Sequence, residues 1–264
     1  MSSPNYSTTE MMTVSASRLL KNGAVCFVGI GLPSTAANLA RLTHAPDIVL
    51  IYESGPIGAK PEVLPLSIGD GDLAERADTV VSTPEIFRYW LQGGRVDVGF
   101  LGAAQIDKFA NINTTVIGGY KKPVTRLPGA GGAPEIASCA KEVVLVLKQS
   151  ARAFVKKLDF LTSVGYLDGG DARKKLGLPG KGPVAVVTDL CIMKPDENTK
   201  ELTVTQLHPD VTRDQVTKAT GWEVKFASDV KETAAPTEEE LRVLRDLLHR
   251  TAVAHGQAPA ASGN

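Results

Sequence analysis

Ala24-Val-Cys-Phe-Val28, Gly29-Ile-Gly-Leu-Pro33 and Ser34-Thr-Ala-Ala-Asn-Leu-Ala-Arg-Leu42 follow one another directly, and their order decides the fold. The first is a short continuous apolar run, the second a glycine turn, and the third places apolar residues at helical spacing. This is strand, turn, helix. Ile48-Val-Leu-Ile-Tyr52 adds a second all-apolar strand, of the kind covered on both faces in a parallel sheet.

Working outward, Ser7 and Glu10 form a capping box and Gly23 a stop, which predicts a helix over Thr8 to Lys21. Thr83 as N-cap with Pro84 at the first helical position predicts a helix over Glu85 to Gln92, ended by Gly93-Gly94. Val96 to Leu101, Ile112 to Ile117, Val143 to Leu147 and Val184 to Val187 read as strands, and Glu201 to Leu207 alternates as a half-exposed one does. The glycine-rich, charged stretch from Leu158 to Pro183 reads as a long surface excursion. Helices are expected to start at Thr212 and, from the capping box of Thr237 with Glu240, to run to about Ala254. The alternation predicts an α/β fold with an open, mainly parallel sheet flanked by helices and right-handed crossovers. A single domain is expected over residues 1–255, with residues 256–264 a disordered tail.

Composition narrows the function. The 264 residues hold 29 Lys plus Arg and 29 Asp plus Glu, with no charged tail, so nucleic acid is not an expected partner. No apolar run approaches the ~20 residues of a membrane span, and the first residues lack the apolar core of a signal peptide. A cytoplasmic protein is expected. Cys26, Cys139 and Cys191 stand singly among apolar neighbours and read as buried thiols. His44, His208, His249 and His255 are scattered, so no metal site is expected.

Two glycine clusters and one carboxylate carry the chemistry. Gly29 and Gly31, between strand and helix, suit a dinucleotide site, a purely structural turn or another ligand, with Ser34 where a third glycine would stand. Glu53 ends an apolar strand and is followed by Ser54-Gly55-Pro56, at the carboxyl edge of the sheet where open α/β folds place ligands. It can be a salt-bridged or capping carboxylate, or a nucleophile on an activated acyl group. Gly129-Ala-Gly131-Gly132 precedes a short helical stretch. Its successive N–H groups suit an oxyanion nest or a tight turn.

Gly29-Ile-Gly-Leu-Pro33, Tyr52-Glu53-Ser54-Gly55, Leu101-Gly-Ala-Ala-Gln-Ile-Asp107, Asn111-Ile-Asn113, Gly129-Ala-Gly-Gly132 and His208-Pro-Asp-Val-Thr-Arg213 together resemble the B subunit of the family I CoA-transferases. Six motifs in the right order, from about Thr9 to Leu248, make the resemblance specific. Within the family, the branch acting on 3-oxoadipate is most similar and the glutaconate branch next. Many members carry Ser-Glu-Asn-Gly at the nucleophile; Ser54 replaces that Asn here, as in the glutaconate branch.

The resemblance implies the NagB/RpiA/CoA-transferase-like fold and ping-pong transfer of CoA from succinyl-CoA to 3-oxoadipate through a glutamyl-CoA thioester on Glu53, in aromatic-compound breakdown. It implies catalytic roles for Glu53, Gly131 and Gly132, a CoA-binding floor at Gly29, Gly31 and Gly129, and substrate contacts from Ser54, Gly55 and Gln105. No tightly bound cofactor is implied, CoA thioester being a substrate; with that substrate anionic, the neutral net charge predicts that its phosphates are met by a few local Lys or Arg residues, some of them on the partner subunit. The A half of single-chain relatives is not found here, which implies a separate A subunit, commonly in an A2B2 assembly. A glutaconate or other dicarboxylate transferase, a CoA-thioester hydrolase of the same fold, and a non-catalytic nucleotide-binding subunit are the competing readings.

Overall fold

A computed structural model describes residues 5–257. The tail expected to be disordered lies mostly outside the described residues. The chain opens with α1 (Thr8–Ser17), β1 (Val25–Val28), α2 (Leu32–Leu42) and β2 (Val49–Ile51). Next come β3 (Pro56–Ile57), α3 (Gly71–Glu75), β4 (Thr79–Val80) and α4 (Thr83–Glu85), which continues as a π-helical turn over Ile86–Leu91. β5 (Val98–Leu101) leads to two small hairpins, β6 (Gln105–Ile106) with β7 (Ile112–Asn113) and β8 (Val116–Gly118) with β9 (Pro123–Arg126). The remainder is α5 (Ala133–Cys139), β10 (Glu142–Val146), α6 (Ala172–Lys175), β11 (Pro183–Val187), β12 (Cys191–Pro195), β13 (Leu202–Leu207), α7 (Arg213–Lys218), β14 (Lys225–Glu232) and α8 (Glu238–Ala254).

Ten strands form one sheet in the order β14-β13-β12-β11-β10-β5-β1-β2-β3-β4. The five central strands, β11-β10-β5-β1-β2, are all parallel, as their unbroken apolar sequences predict. Antiparallel strands extend the sheet on both sides, and only β14 rejoins a parallel pairing at the far edge. Alternation along the central strands fills two cores. Cys26, Val28, Leu50, Tyr52 and Phe100 face α1 and α2, while Phe27, Ile51, Leu101 and Ile136 pack on the opposite side. Each such side chain, fully withdrawn from water, contributes roughly 1.5–3 kcal/mol.

Gly99 sets how closely α5 lies on the sheet. A Cβ there would stand 2.4 Å from Ile136 Cγ2 and 3.2 Å from Ala140 Cβ, so only glycine lets the helix dock at this depth.

Several expectations need correction. α1 stops at Ser17, its end tightened by Leu19 N–H to Ala16 and Leu20 N–H to Ser17 carbonyls. The helix after Pro84 is capped by Ser82 rather than Thr83 and becomes π-helical, with Gln92 N–H donating to the Phe87 carbonyl at 2.8 Å. The strand expected over Ile112 to Ile117 is broken, because Asn113 Oδ1 accepts the N–H groups of Thr115 and Val116 and turns the chain between β7 and β8. Cys139 is half-buried rather than buried, while Cys26 and Cys191 are buried, and burial pushes the Cys191 thiol up to about 12.

The stretch from Leu158 to Pro183 is not a loose excursion. Its Arg173, 5% exposed, donates to the carbonyls of Gly180 (2.8 Å), Gly165 (3.1 Å), Ala137 (2.7 Å) and Ser138 (3.0 Å). Two of those carbonyls belong to the last turn of α5, so the guanidinium both caps that helix and ties the segment down.

His208 is buried and donates Nε2–H to the Thr188 carbonyl at 2.8 Å, while Nδ1 accepts the Thr233 hydroxyl at 3.1 Å. Burial holds its pKa below the ordinary histidine value, against the opposing pull of the Thr188 bond. The fold therefore prefers the neutral ring. Stability is full well above the unfolded pKa of about 6.5 and is lost as pH falls through that value toward the lower folded one. Melting temperature measured from pH 7.5 to 5.5 is expected to decline, and His208→Gln is expected to flatten that decline.

Candidate active site

The site forms where β1 and β2 end, beside each other at the carboxyl edge of the sheet. β1 passes into Gly29, whose N–H donates to the Phe100 carbonyl at 3.0 Å. A Cβ on Gly29 would stand 3.1 Å from that same carbonyl oxygen, so the glycine serves close strand packing. Gly31 follows with φ +85 and ψ −133 as N-cap of α2, an exposed position that a side chain would strain.

β2 passes into Tyr52, which is fully buried, its hydroxyl 3.1 Å from Ser34 Oγ and 3.4 Å from Asn38 Nδ2. With Tyr52 committed to the α2 side, strand alternation delivers Glu53 to the other side. The chain then turns sharply. Gly55 N–H donates to the Tyr52 carbonyl at 3.0 Å, Gly55 has φ +123, and Ser54 Oγ donates to the Ile68 carbonyl at 2.6 Å. Ser54 and Gly55 thus shape the turn that carries Glu53, and neither lines the cavity in front of it.

The second glycine cluster comes to meet this carboxylate. Thr114 anchors the loop at both ends of one residue, accepting Gly129 N–H at 2.9 Å and donating its hydroxyl to the Gly129 carbonyl at 2.8 Å. Gly131 at φ +48 and Gly132 at φ −83 alternate in sign, which turns successive N–H groups toward one side. Gly132 N–H donates to Glu53 Oε2 at 3.3 Å. Residues 79 positions apart in sequence are so joined at the start of α5.

Glu53 is half-buried at the wall of a cavity of about 400 Å³, whose lining includes Phe27, Leu101, Ala103, Ala104, Ile136 and the glycine loop from Gly129 to Gly132. The wall is largely apolar, so a carboxylate and backbone N–H groups act there with little competition from water. A carboxylate next to a backbone N–H aimed at its own oxygen is suited to nucleophilic acyl transfer. Among the described residues no group of three or more His, Cys, Asp or Glu is placed to hold a metal ion, and no helix is long and apolar enough to cross a membrane.

Glu53, Gly29, Gly129, Gly131 and Gly132 are therefore brought to one cavity, whereas Gly31, Ser54, Gly55 and, most clearly, Gln105 are not among its lining residues. Gln105 is 5% exposed and its amide is turned away, donating to Asp159 Oδ2 at 2.9 Å and accepting Asn113 Nδ2 at 2.8 Å and Asp159 N–H at 3.1 Å. Ala103 and Ala104 occupy the wall instead. Sequence reasoning missed Phe87, which packs on Phe27 with ring centroids 5.9 Å apart and walls Gly132. The aromatic cluster of Phe87, Tyr89 and Trp90 within the 85–92 helix is the available signal.

No room exists for a side chain at Gly132. A Cβ would lie 2.6 Å from Phe87 Cζ and 3.0 Å from Glu53 Oε2. Gly132→Ala is expected to shift the loop enough to lower kcat about 100-fold, while the melting temperature moves by only a few degrees.

Comparison with known proteins gives a consistent picture. The coenzyme A transferase family profile matches residues 9–219. The chain is 75% identical over 252 residues to the B subunit of 3-oxoadipate CoA-transferase from Pseudomonas knackmussii, covering 96% of this chain and 97% of that protein. It is 31% identical over 229 residues to the cholesterol ring-cleaving hydrolase IpdB subunit of Rhodococcus jostii, covering 82% and 81%. The crystal structure of glutaconate coenzyme A-transferase from Acidaminococcus fermentans superposes with a TM-score of 0.85 at 35% identity, covering 91% of this chain and 94% of that one.

Proposed function

The chain belongs to the coenzyme A transferase family, and on that premise we propose that it is the B subunit of a 3-oxoadipate CoA-transferase with Glu53 as nucleophile and a separate A subunit as partner. The observation that carries the reading is the Glu53 carboxylate beside the Gly132 N–H at the cavity wall. The choice of 3-oxoadipate is supported by 75% identity across nearly the whole length of a relative of that name. Succinyl-CoA as donor, a place in aromatic-compound breakdown, a cytoplasmic setting and an A2B2 assembly complete the proposal.

Glu53 attacks the thioester carbonyl of the acyl-CoA; the C–S bond breaks, and an acyl-glutamyl anhydride and CoA thiolate result. The thiolate attacks the glutamyl carbonyl, the C–O bond to the donor acid breaks, and that acid leaves as carboxylate. Glutamyl-CoA thioester remains, and the acceptor carboxylate reverses both steps. One thioester is exchanged for another, so no net energy input is needed.

The glycine loop takes a particular share of this in the proposed mechanism. Because Gly132 N–H contacts an oxygen of Glu53 itself, it serves the two steps in which the glutamyl carbonyl is attacked and that oxygen gains charge. The Gly131 N–H, without an acceptor among the described residues, is the second donor of the pair.

Incubation of both subunits with succinyl-CoA, hydroxylamine trapping and mass spectrometry test the reading. A modified Glu53 peptide is expected, and an unmodified one under turnover rejects the mechanism. Hydrolysis of the CoA thioester, with water in place of the acceptor acid at the same Glu53 cavity, is the second reading; a relative named a ring-cleaving hydrolase subunit supports only the wider point that such chains can use water. Thioester loss at the same rate with and without an acceptor acid decides for hydrolysis.

A further inference from the structure

An ionised carboxylate only accepts hydrogen bonds, whereas a side-chain amide donates at one end and accepts at the other. A chain of amides that starts on a carboxylate is therefore oriented along its whole length. Such a chain lies behind the glycine loop. The exposed Asp159 holds the Gln105 amide at both ends, Oδ2 accepting from Nε2 at 2.9 Å and its own N–H donating to Oε1 at 3.1 Å. Gln105 Oε1 is thereby turned inward, where it accepts Asn113 Nδ2 at 2.8 Å. The fully buried Asn113 gives its second amide hydrogen to the Val116 carbonyl at 2.7 Å, which leaves Oδ1 to accept the N–H groups of Thr115 at 2.9 Å and Val116 at 3.2 Å. Reversing this amide would set oxygen against oxygen and donor against donor.

The turn made by Asn113 grips the entry to the glycine loop. The Thr115 carbonyl accepts Leu127 N–H at 3.1 Å, the Thr114 carbonyl accepts Gly129 N–H at 2.9 Å, and the Thr114 hydroxyl returns to the Gly129 carbonyl at 2.8 Å. Thr162 braces the same turn from outside, its Oγ1 accepting Thr114 N–H at 2.9 Å and lying 2.8 Å from Thr115 Oγ1. From Gly129 the chain passes at once to Gly132, whose N–H reaches Glu53 at 3.3 Å. The opposite wall is tied to the same hub, since Ala104 N–H donates to the Asn113 carbonyl at 3.1 Å.

We propose that Asp159, Gln105 and Asn113 are positioning residues for the reaction at Glu53, a relay that fixes where the Gly131 and Gly132 N–H groups stand. None of the three is among the residues lining the cavity. The proposal rests on the reading of Glu53 as the acyl-CoA nucleophile. A displaced loop slows the steps in which the glutamyl carbonyl is attacked and spares the first attack of Glu53 on the thioester. The acyl-glutamyl anhydride then persists long enough to meet water. Water oxygen bonds to the succinyl carbonyl, the anhydride C–O bond breaks, and Glu53 and succinate both leave as carboxylates. Of the two protons released, one goes to the CoA thiolate and the other to solvent.

The test uses enzyme reconstituted from both subunits, with succinyl-CoA and 3-oxoadipate. Gln105→Leu, similar in volume and without an amide, is expected to lower kcat for transfer about 10- to 100-fold while KM for succinyl-CoA stays within about twofold. CoA released per transfer is expected to rise about tenfold, a change that simple loss of folded enzyme does not produce. Asp159→Ala is expected to lose about tenfold in kcat, and Asp159→Asn, which can set a carbonyl oxygen where Oδ2 stands, to come within about threefold of wild type. Because the residues act in series, adding Asp159→Ala to Gln105→Leu is expected to cost nothing further. A wild-type kcat in Gln105→Leu overturns the proposal, as does a loss carried by KM, an Asp159→Asn as impaired as Asp159→Ala, or losses that multiply. Hydrogen exchange of the peptide spanning residues 127–136 reads the loop directly: faster exchange is expected in Gln105→Leu and Asp159→Ala, and wild-type protection rejects the relay. A wild type that turns over no succinyl-CoA marks failure of the Glu53 reading instead, and the exchange measurement still decides the relay. If Gln105→Leu fails to fold, the two Asp159 variants decide it by the same criteria.

Discussion

Glu53→Gln is expected to lower transferase activity of the reconstituted enzyme by at least about 10⁴-fold, because an amide cannot form the anhydride through which every later step passes. The substitution preserves size and can still accept from Gly132 N–H, so folding and assembly with the A subunit are expected to survive. Steady-state turnover of succinyl-CoA with 3-oxoadipate measures the loss, and circular dichroism with gel filtration checks the fold. Glu53→Asp separates charge from position. It keeps a carboxylate but draws it back by one methylene, and about 10²- to 10³-fold loss is expected from the misplacement. Substantial activity in the Gln variant would make Glu53 a structural carboxylate and favour a non-catalytic subunit.

The second large effect is expected at a residue that never touches the cavity. Arg173→Met removes the donors to four carbonyl groups, two of them in the last turn of α5, in a place water reaches poorly. Orphaned buried acceptors cost about 1–3 kcal/mol each, partly relieved by relaxation, so a total of about 3–5 kcal/mol is expected. At roughly 2–4 °C per kcal/mol for a chain of this size, the melting temperature is expected to fall by about 10 °C. Burial already holds the pKa of this guanidinium below its ordinary value, so its charge is retained at a cost that the four bonds offset. Calorimetry of the purified chain measures the shift; a fall of under 2 °C would mean the segment around α6 is stabilised by other contacts.

The carboxylate was legible in the sequence because an unbroken apolar run stops on it and a Ser-Gly turn follows, which places it at a sheet edge on local chemistry alone. Caps were legible for the same reason: Ser7 with Glu10 and Thr237 with Glu240 bond within one turn, as read. What brings Gly132 to Glu53 is tertiary. It depends on α5 descending onto Gly99, a contact no local pattern encodes. Gln105 shows the converse, since the direction of its amide is decided by Asp159, 54 residues away. The π-helical turn after Glu85 escapes periodicity because six residues are too few to tell one helical period from another. Arg173 looked like one more charge in a glycine-rich loop, and only its burial among carbonyls reveals its task.

Gly99 is a mid-sheet position with no functional group, paired in register with Phe27 on one side and Val143 on the other. By letting Ile136 sit directly on the backbone, it acts as a gauge for the gap between sheet and helix, and so for the distance between the reactive carboxylate and its donor. The tolerance of this enzyme to mutation is therefore uneven in a way chemistry alone does not suggest. On the proposed mechanism, a residue that no substrate meets helps to set the position of the proposed nucleophile's donor, through an absent side chain.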